Sequence, residues 1–343
     1  MKAFVTGGTG FIGGHIIKNL LSSGASVRAL VRDSGKRRAV ENLGAEPVLG
    51  DITNPDSLRG AFGGCEVLFH LGGVARWWVP DRKEFYRVNV EGTRNVMEEA
   101  LAQGIKRVVY TSSLATLQQP KGVISTEDSE HRGDFESHYA RSKYLGEREV
   151  MKLHRERGLP VVILNPGVVI GPGDYKTFGR MIIDYINKRL KAIPFPRTMV
   201  PLVYIDDVVG AHFQAADRGK PGERYILVGE NISIAGAFRV LEKITGISPP
   251  EKTVSPLMLK LAASFMELKS FFTGAPPKLS RDVIRAMETG AMGDSAKAQS
   301  ELDIEFTPLY NALRRTILWY RDEGEFPSGI NIAPVGAPSS TMR

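Results

Sequence analysis

The 343-residue sequence holds one cysteine, Cys65, which excludes an internal disulfide framework and fits a reducing, cytoplasmic setting. No apolar run approaches the roughly 20 residues of a membrane-spanning helix. No internal repeat and no long low-complexity segment is present, and no nucleic-acid motif accompanies the basic residues. Lys and Arg number 45 against 38 Asp and Glu, a net charge of +7, but they are scattered, which suits a solvated surface better than a track for a polyanion. A cleaved leader is not expected, because Met1 to Phe11 already reads as a strand and a turn. No metal site is expected. What remains is ordinary globular material, 42 % hydrophobic, in a chain long enough to bury a large core.

The most informative stretch is the N-terminal one. Ala3-Phe4-Val5 runs into Thr6 and then opens into a glycine turn with Gly7, Gly10 and Gly13 spaced three apart, followed by an amphipathic helix from Phe11 to Ser23. Glycine lets the backbone turn tightly and bring its N–H groups onto a pyrophosphate at the positive end of that helix. Phe11 and Ile12 lie in the same turn.

Strand-like and helix-like patterns then alternate. Val27 to Val31, Pro47 to Leu49, Val67 to His70, Arg107 to Thr111 and Val161 to Asn165 read as strands. Lys36 to Leu43, Arg82 to Gln103 and Tyr139 to Arg157 read as helices. This alternation predicts a doubly wound parallel α/β sheet with ligands gathered beyond the strands' carboxyl ends. The expected organisation is a dinucleotide-binding domain over residues 1–165, a smaller mixed substrate-binding part over 166–327 with some return to the sheet, and a flexible tail over 328–343.

The second strand bears on the cofactor. It ends at Val31-Arg32, with Lys36, Arg37 and Arg38 close behind, where an NAD site would present an acid to the ribose hydroxyls. A guanidinium suits a 2′-phosphate, so NADP(H) is expected over NAD(H). Asp33, about twenty residues past Gly13, is the competing ribose acid but falls one position late. Asp51-Ile52 after the third strand and Leu71-Gly72-Gly73 after the fourth are placed to meet adenine and ribose.

Tyr139 and Lys143, four apart on a helix, share a face. A nearby ammonium and a cationic nicotinamide would lower the phenol's pKa and make it a usable proton donor and acceptor. The fifth strand ends Tyr110-Thr111-Ser112-Ser113, which supplies hydroxyls nearby.

With these residues in order, the chain resembles the extended short-chain dehydrogenase/reductase family, within the NAD-dependent epimerase/dehydratase superfamily. The likeness rests on the glycine turn, Gly50-Asp51-Ile52-Thr53-Asn54-Pro55-Asp56-Ser57-Leu58, Asn89-Val90-Glu91-Gly92-Thr93 and the Tyr139/Lys143 pair, and covers about residues 1–325. It implies a Rossmann-type fold in which Ser113 bonds the substrate carbonyl, Tyr139 transfers the proton and Lys143 binds the nicotinamide ribose; Thr111 and Ser112 compete for the serine's place. Asn165-Pro166-Gly167-Val168, which the resemblance places at the cofactor, is similar to the corresponding segment of dihydroflavonol reductases and 3β-hydroxysteroid dehydrogenases. Ala75-Arg76-Trp77-Trp78 and the C-terminal half look like hopanoid-associated sugar epimerases. The resemblance therefore implies a nicotinamide-dependent reductase or, alternatively, a nucleotide-sugar epimerase, which would need a diphosphate-binding cation such as Arg180 or Arg239. A non-catalytic NADP sensor is a further alternative, opposed by the intact Ser113, Tyr139 and Lys143.

The substrate pocket is expected from the C-terminal half together with Ala75, Trp77, Trp78, Ser113 and Val168. Asp206 and Asp207 follow a strand-like run and are expected to cap a helix. Leu257 to Phe272 reads as a helix with Lys260, Ser264 and Glu267 on one narrow face and the rest apolar. Its wide apolar face is expected beside the pocket, favouring a bulky hydrophobic substrate; a homodimer contact and peripheral membrane contact are its other uses.

Overall fold

The computed structural model describes residues 1–277, 279–327 and 329–334. The parallel sheet is built from β1 (Lys2–Thr6), β2 (Ser26–Val31), β3 (Glu46–Leu49), β4 (Val67–His70), β5 (Arg107–Thr111) and β6 (Val161–Pro166). A late strand, β9 (Arg224–Leu227), pairs with β6 and completes the order β3-β2-β1-β4-β5-β6-β9. β4 and β6 are buried along their whole length, and their sequences VLFH and VVILNP are the near-continuous apolar runs of strands covered on both faces. A second, mixed sheet holds β7 (Val168–Ile170), β8 (Met199–Tyr204) and β10 (Glu230–Ser233).

Helices cover both faces: α1 (Phe11–Ser22), α2 (Ser34–Glu41), α3 (Lys83–Tyr86), α4 (Thr93–Ala102), α5 (His138–Arg157), α6 (Phe178–Ile186), α7 (Ile205–Asp217) and α8 (Ile234–Thr245). The C-terminal part adds α9 (Pro256–Thr273), α10 (Arg281–Thr289), α11 (Ala296–Leu302) and α12 (Leu309–Asp322). The long helix expected over 82–103 is not uniform. Residues Arg87–Gly92 form a π-helical turn between α3 and α4, a widening often found beside functional sites. Gly146 of α5 lies against it so closely that a Cβ there would fall 2.2 Å from the Asn89 carbonyl oxygen.

Three expectations about the C-terminal half change. Asp207 does not cap α7; it accepts from the backbone N–H (2.8 Å) and hydroxyl (2.7 Å) of Thr307, tying α7 to the segment before α12. The apolar face of α9 points outward. The helix's one narrow polar edge makes the inward bonds, Lys260 to Glu288 and Glu267 to Arg281 of α10. Of the expected tail, Ser328 and residues 335–343 lie outside the described residues, but the Ala333 N–H reaches the Ile244 carbonyl at 2.9 Å, so residues near it are held against α8. Among the described residues no helix is long and apolar enough to cross a membrane.

Two histidines are sealed in the core beneath the strand ends. His70 sits between the hydroxyls of Thr6 (2.7 Å) and Thr93 (3.2 Å), and burial together with the Lys143 charge pushes it down to about 3. His212 of α7 is bonded to the Thr111 hydroxyl (2.7 Å) and the Val208 carbonyl (2.7 Å), and burial pushes it down to about 4. Both stay neutral in the folded protein yet charge near pH 6.5 when unfolded. Their contribution is therefore complete above about pH 6.5 and declines as pH falls toward the folded values. Denaturant unfolding should lose about 1.4 kcal/mol per pH unit per histidine between pH 6.5 and pH 4. His212→Asn should flatten that slope; an unchanged slope in this variant would refute the assignment.

Candidate active site

The glycine turn forms as its sequence requires. Gly7 has φ of +73°, and a Cβ on it would strike the Leu71 backbone at 2.7 Å; a Cβ on Gly13 would fall 2.2 Å from the Gly7 oxygen. Gly10 is the N-cap of α1 and contributes no side-chain cap, so no side chain obstructs the helix's first turn, at Phe11, Ile12 and Gly13. This is a cradle fitted to a pyrophosphate.

Beyond β2 the two candidates for the ribose separate. The Asp33 carboxylate is the N-cap of α2 and accepts the Lys36 backbone N–H at 3.0 Å. Arg32 is exposed and has no ion-pair partner among the described residues, whereas Arg37 pairs with Glu41 at 2.9 Å. Lys36 is exposed as well. Asp51 closes a turn on Thr53 through Oδ1 (2.8 Å to N–H and 2.9 Å to hydroxyl). The Ile52 side chain is buried against Gly92. Leu71 continues the turn from Thr6, Gly72 donates to the Thr6 hydroxyl (3.0 Å), and Gly73 lies against the Asn89 amide.

Tyr139 owes its place to a cap. The Ser137 hydroxyl accepts the Ala140 N–H at 3.0 Å and starts α5 at His138, which puts Tyr139 in the first turn and Lys143 one turn further on. The Ser113 hydroxyl faces the phenol; burial pushes the phenol's pKa up and that hydroxyl holds it back. Trp77 packs its ring against Tyr139, centroids 5.8 Å apart and 61° inclined. Trp78 is half-buried and has no aromatic contact with Tyr139, so the pair divides as adjacent residues must. Ala75 is exposed in the same loop.

Lys143 is held at the end of β5. Its ammonium donates to the Tyr110 hydroxyl (3.0 Å) and the Thr111 carbonyl (2.9 Å) at the end of β5, not to the Tyr139 phenol, which burial leaves raised. Burial pushes Lys143 down to about 8, and the Glu147 carboxylate one turn away keeps it from falling further.

Glu147 was not identified from the sequence, yet it joins three elements. Its buried carboxylate accepts from the hydroxyls of Ser112 and Thr116 (2.9 Å) and the Asn165 amide (2.9 Å), and Arg224 of β9 lies at 3.4 Å. Ser112 is thereby committed to Glu147 and Thr111 to His212, whereas the Ser113 hydroxyl accepts the Ala115 N–H at 3.2 Å and keeps its own hydrogen uncommitted near Tyr139. Asn165 is fully buried, donating also to the Ser113 carbonyl (3.1 Å), so its amide nitrogen supports the site from beneath, and its oxygen is buried without a partner among the described residues. Pro166 is buried in β6, Gly167 is pressed against the Pro201 carbonyl, and half-buried Val168 begins β7. Another residue missed is Asn89. It accepts from the Val74 N–H (2.7 Å) and donates to Ser142 (2.9 Å), whose hydroxyl donates to the Tyr139 carbonyl (2.8 Å), tying the tryptophan loop to α5. Glu147 continues the four-residue spacing from Tyr139 and Lys143, and that spacing was the available signal.

A Rossmann sheet with a glycine cradle under its first helix and a Ser, Tyr and Lys set beyond its fifth strand defines a nicotinamide-dependent enzyme. The family model for the NAD dependent epimerase/dehydratase family matches residues 3–229, and the chain belongs to that family. A provisionally named dihydroflavonol 4-reductase of Synechocystis sp. is 36 % identical over 331 residues, 94 % of this chain and 95 % of that one. Sterol demethylase protein B of Methylococcus capsulatus is 33 % identical over 94 % of this chain and 99 % of its own length. The crystal structure of gox2253 superposes with a TM-score of 0.81 at 36 % identity, covering 95 % and 99 % of the two chains. UDP-glucuronic acid 4-epimerase of Bacillus cereus, solved with NAD, shares the fold at 22 % identity and a TM-score of 0.74, covering 94 % of this chain and 99 % of that one.

The Glu147 clasp predicts two results. Glu147→Ala should cost roughly 3–5 kcal/mol in denaturant unfolding, since Asn165, Ser112 and Arg224 lose a shared buried acceptor. Glu147→Gln removes the charge that holds Lys143 up, so the alkaline limb of the turnover profile should move to lower pH. An unmoved limb would mean that Lys143 does not titrate there.

Proposed function

We propose that this protein is an NADP(H)-dependent carbonyl reductase, or the matching alcohol dehydrogenase, acting on an apolar ring-bearing small molecule. The observation that carries the reading is the convergence of Ser113 and Tyr139 beside Trp77 at the carboxyl end of β5. The pyrophosphate would lie on the first turn of α1, and Arg32 would take a 2′-phosphate that Asp33, bound up as a helix cap, does not repel or replace. Bound there, the reduced dinucleotide supplies hydride.

The chain's own residues handle the proton. Ser113 donates to the carbonyl oxygen and polarises it, and Tyr139 delivers its phenolic hydrogen to that oxygen as negative charge builds there. Lys143, fixed by Tyr110 and Thr111, keeps a positive charge one turn below the phenol and favours its ionised form. Trp77 covers the phenol with an apolar wall.

The apolar substrate class now rests on Trp77 and on the relatives, because the α9 face points away from the site. Relatives named for sterol demethylation and for reduction of a farnesyl-bearing dihydroquinoline oxide favour it as well. The epimerase alternative has less support: Arg180 is paired with Asp184 at 3.1 Å, and Arg239 is exposed on α8.

NADPH consumption across panels of steroid, flavonoid, aldehyde and nucleotide-sugar substrates tests the class; turnover confined to nucleotide sugars would refute it. Tyr139→Phe should keep cofactor affinity and lower turnover by about a hundredfold to ten-thousandfold. Arg32→Glu should weaken NADP binding by roughly ten- to hundredfold while leaving NAD binding nearly unchanged, which fluorescence titration reads directly.

A further inference from the structure

Seven of the nine large apolar side chains of α9, namely Leu257, Met258, Leu261, Phe265, Leu268, Phe271 and Phe272, are between 57 % and 82 % exposed, and the other two, Leu259 and Met266, are half-buried on the opposite side. At 3.6 residues per turn the exposed side chains occupy one arc of about 140°, interrupted only by Ser264. No acidic residue falls in that arc. Lys260 and Lys269 stand just beyond its two edges, and Glu267, the acid next to the Lys260 edge, is turned inward onto Arg281 (2.7 Å). On the opposite side Ala263 and Ser270 are buried against the protein.

A soluble monomer rarely leaves so continuous an apolar stripe in water, and the stripe needs an occupant. We propose that α9 is an interfacial helix that docks this protein on an anionic lipid bilayer. The aromatic and aliphatic side chains enter the acyl boundary, while Lys269 reaches the phosphate layer along its methylene stem and Lys260 stays paired with Glu288. Charge decides between a bilayer and a second copy of this chain. The acids bordering the stripe are already bound, Glu267 to Arg281 and Glu288 to Lys260, so Lys269 is its uncompensated charge among the described residues; pairing the stripe with itself offers Lys269 no free acid, whereas anionic headgroups do.

The position of α9 makes the docking useful. α10, to which α9 is tied by Lys260–Glu288 and Glu267–Arg281, packs on the loop that leads into Tyr139: Gln118 donates to the Gly290 carbonyl (3.1 Å) and Lys121 to the Glu288 carbonyl (3.4 Å). Docking through α9 therefore brings that loop close to the lipid surface. The docking itself rests on α9 alone and stands independently of the substrate reading.

The test is flotation of the full chain with vesicles of phosphatidylcholine alone and of phosphatidylcholine mixed with phosphatidylglycerol. The wild type should float with the mixed vesicles at low salt, bind the neutral ones more weakly, and be released by high salt. The exposed double substitution Phe265→Ser/Phe271→Ser should abolish flotation with an unchanged circular dichroism spectrum and melting temperature. Lys269→Gln should weaken binding about fivefold. The proposal is overturned if the wild type stays in solution with the mixed vesicles, if it binds both vesicle types equally, or if the double variant floats like the wild type. It is also overturned if the wild type sediments as a dimer that the double variant breaks, because the stripe then belongs to a second copy.

Discussion

The Glu147 carboxylate is the contact on which the candidate site depends. A carboxylate taken out of water is costly unless its oxygens are filled, and here Ser112, Thr116, Asn165 and Arg224 fill them. Those partners come from the loop after β5, from the end of β6 and from β9, while Glu147 itself belongs to α5. One buried charge thus fixes the helix carrying Tyr139 and Lys143 against the loop carrying Ser113. It also sets the field in which Lys143 stays largely charged despite its burial.

A second tie works from the other side. The π turn at Arg87–Gly92 brings the Asn89 amide between the Val74 backbone and Ser142, and Gly146 allows α5 to press against that turn. The loop bearing Trp77 is therefore linked to the first turn of α5 through hydrogen bonds, not only through ring contact. Below both ties lie His70 and His212, neutral and bonded to threonines at the ends of β1 and β5. Neutral histidines in those places put no competing cation beneath Lys143.

Much of this was legible locally. Strand positions followed from apolar runs that a doubly covered sheet demands, and β4 and β5 fall where the sequence puts them. The glycine register was readable because φ and close approach restrict those positions to one residue type. Ser113 against Ser112 and Thr111 was not decidable locally, because three adjacent hydroxyls differ only in what Glu147 and His212 bind. Asn165 was assigned to the cofactor on resemblance; its amide nitrogen is committed to Ser113, Thr116 and Glu147 beneath the site, while its buried oxygen has no partner among the described residues. The apolar side of α9 was expected to face inward because amphipathicity gives a stripe but no direction, and the inward direction was settled by ion pairs to α10.

By itself the sequence determined the alternation of strands and helices, the glycine turn, the Tyr139 and Lys143 pair and the basic end of β2, all of which are encoded within a few residues of one another. Only the tertiary structure decided which acceptors hold Lys143, which hydroxyl meets Tyr139, that Asp33 is a cap and Asp207 a tie, and that α9 turns its apolar side to solvent. Each of those depends on groups tens of residues apart competing for the same atom, and that competition is resolved when the elements pack.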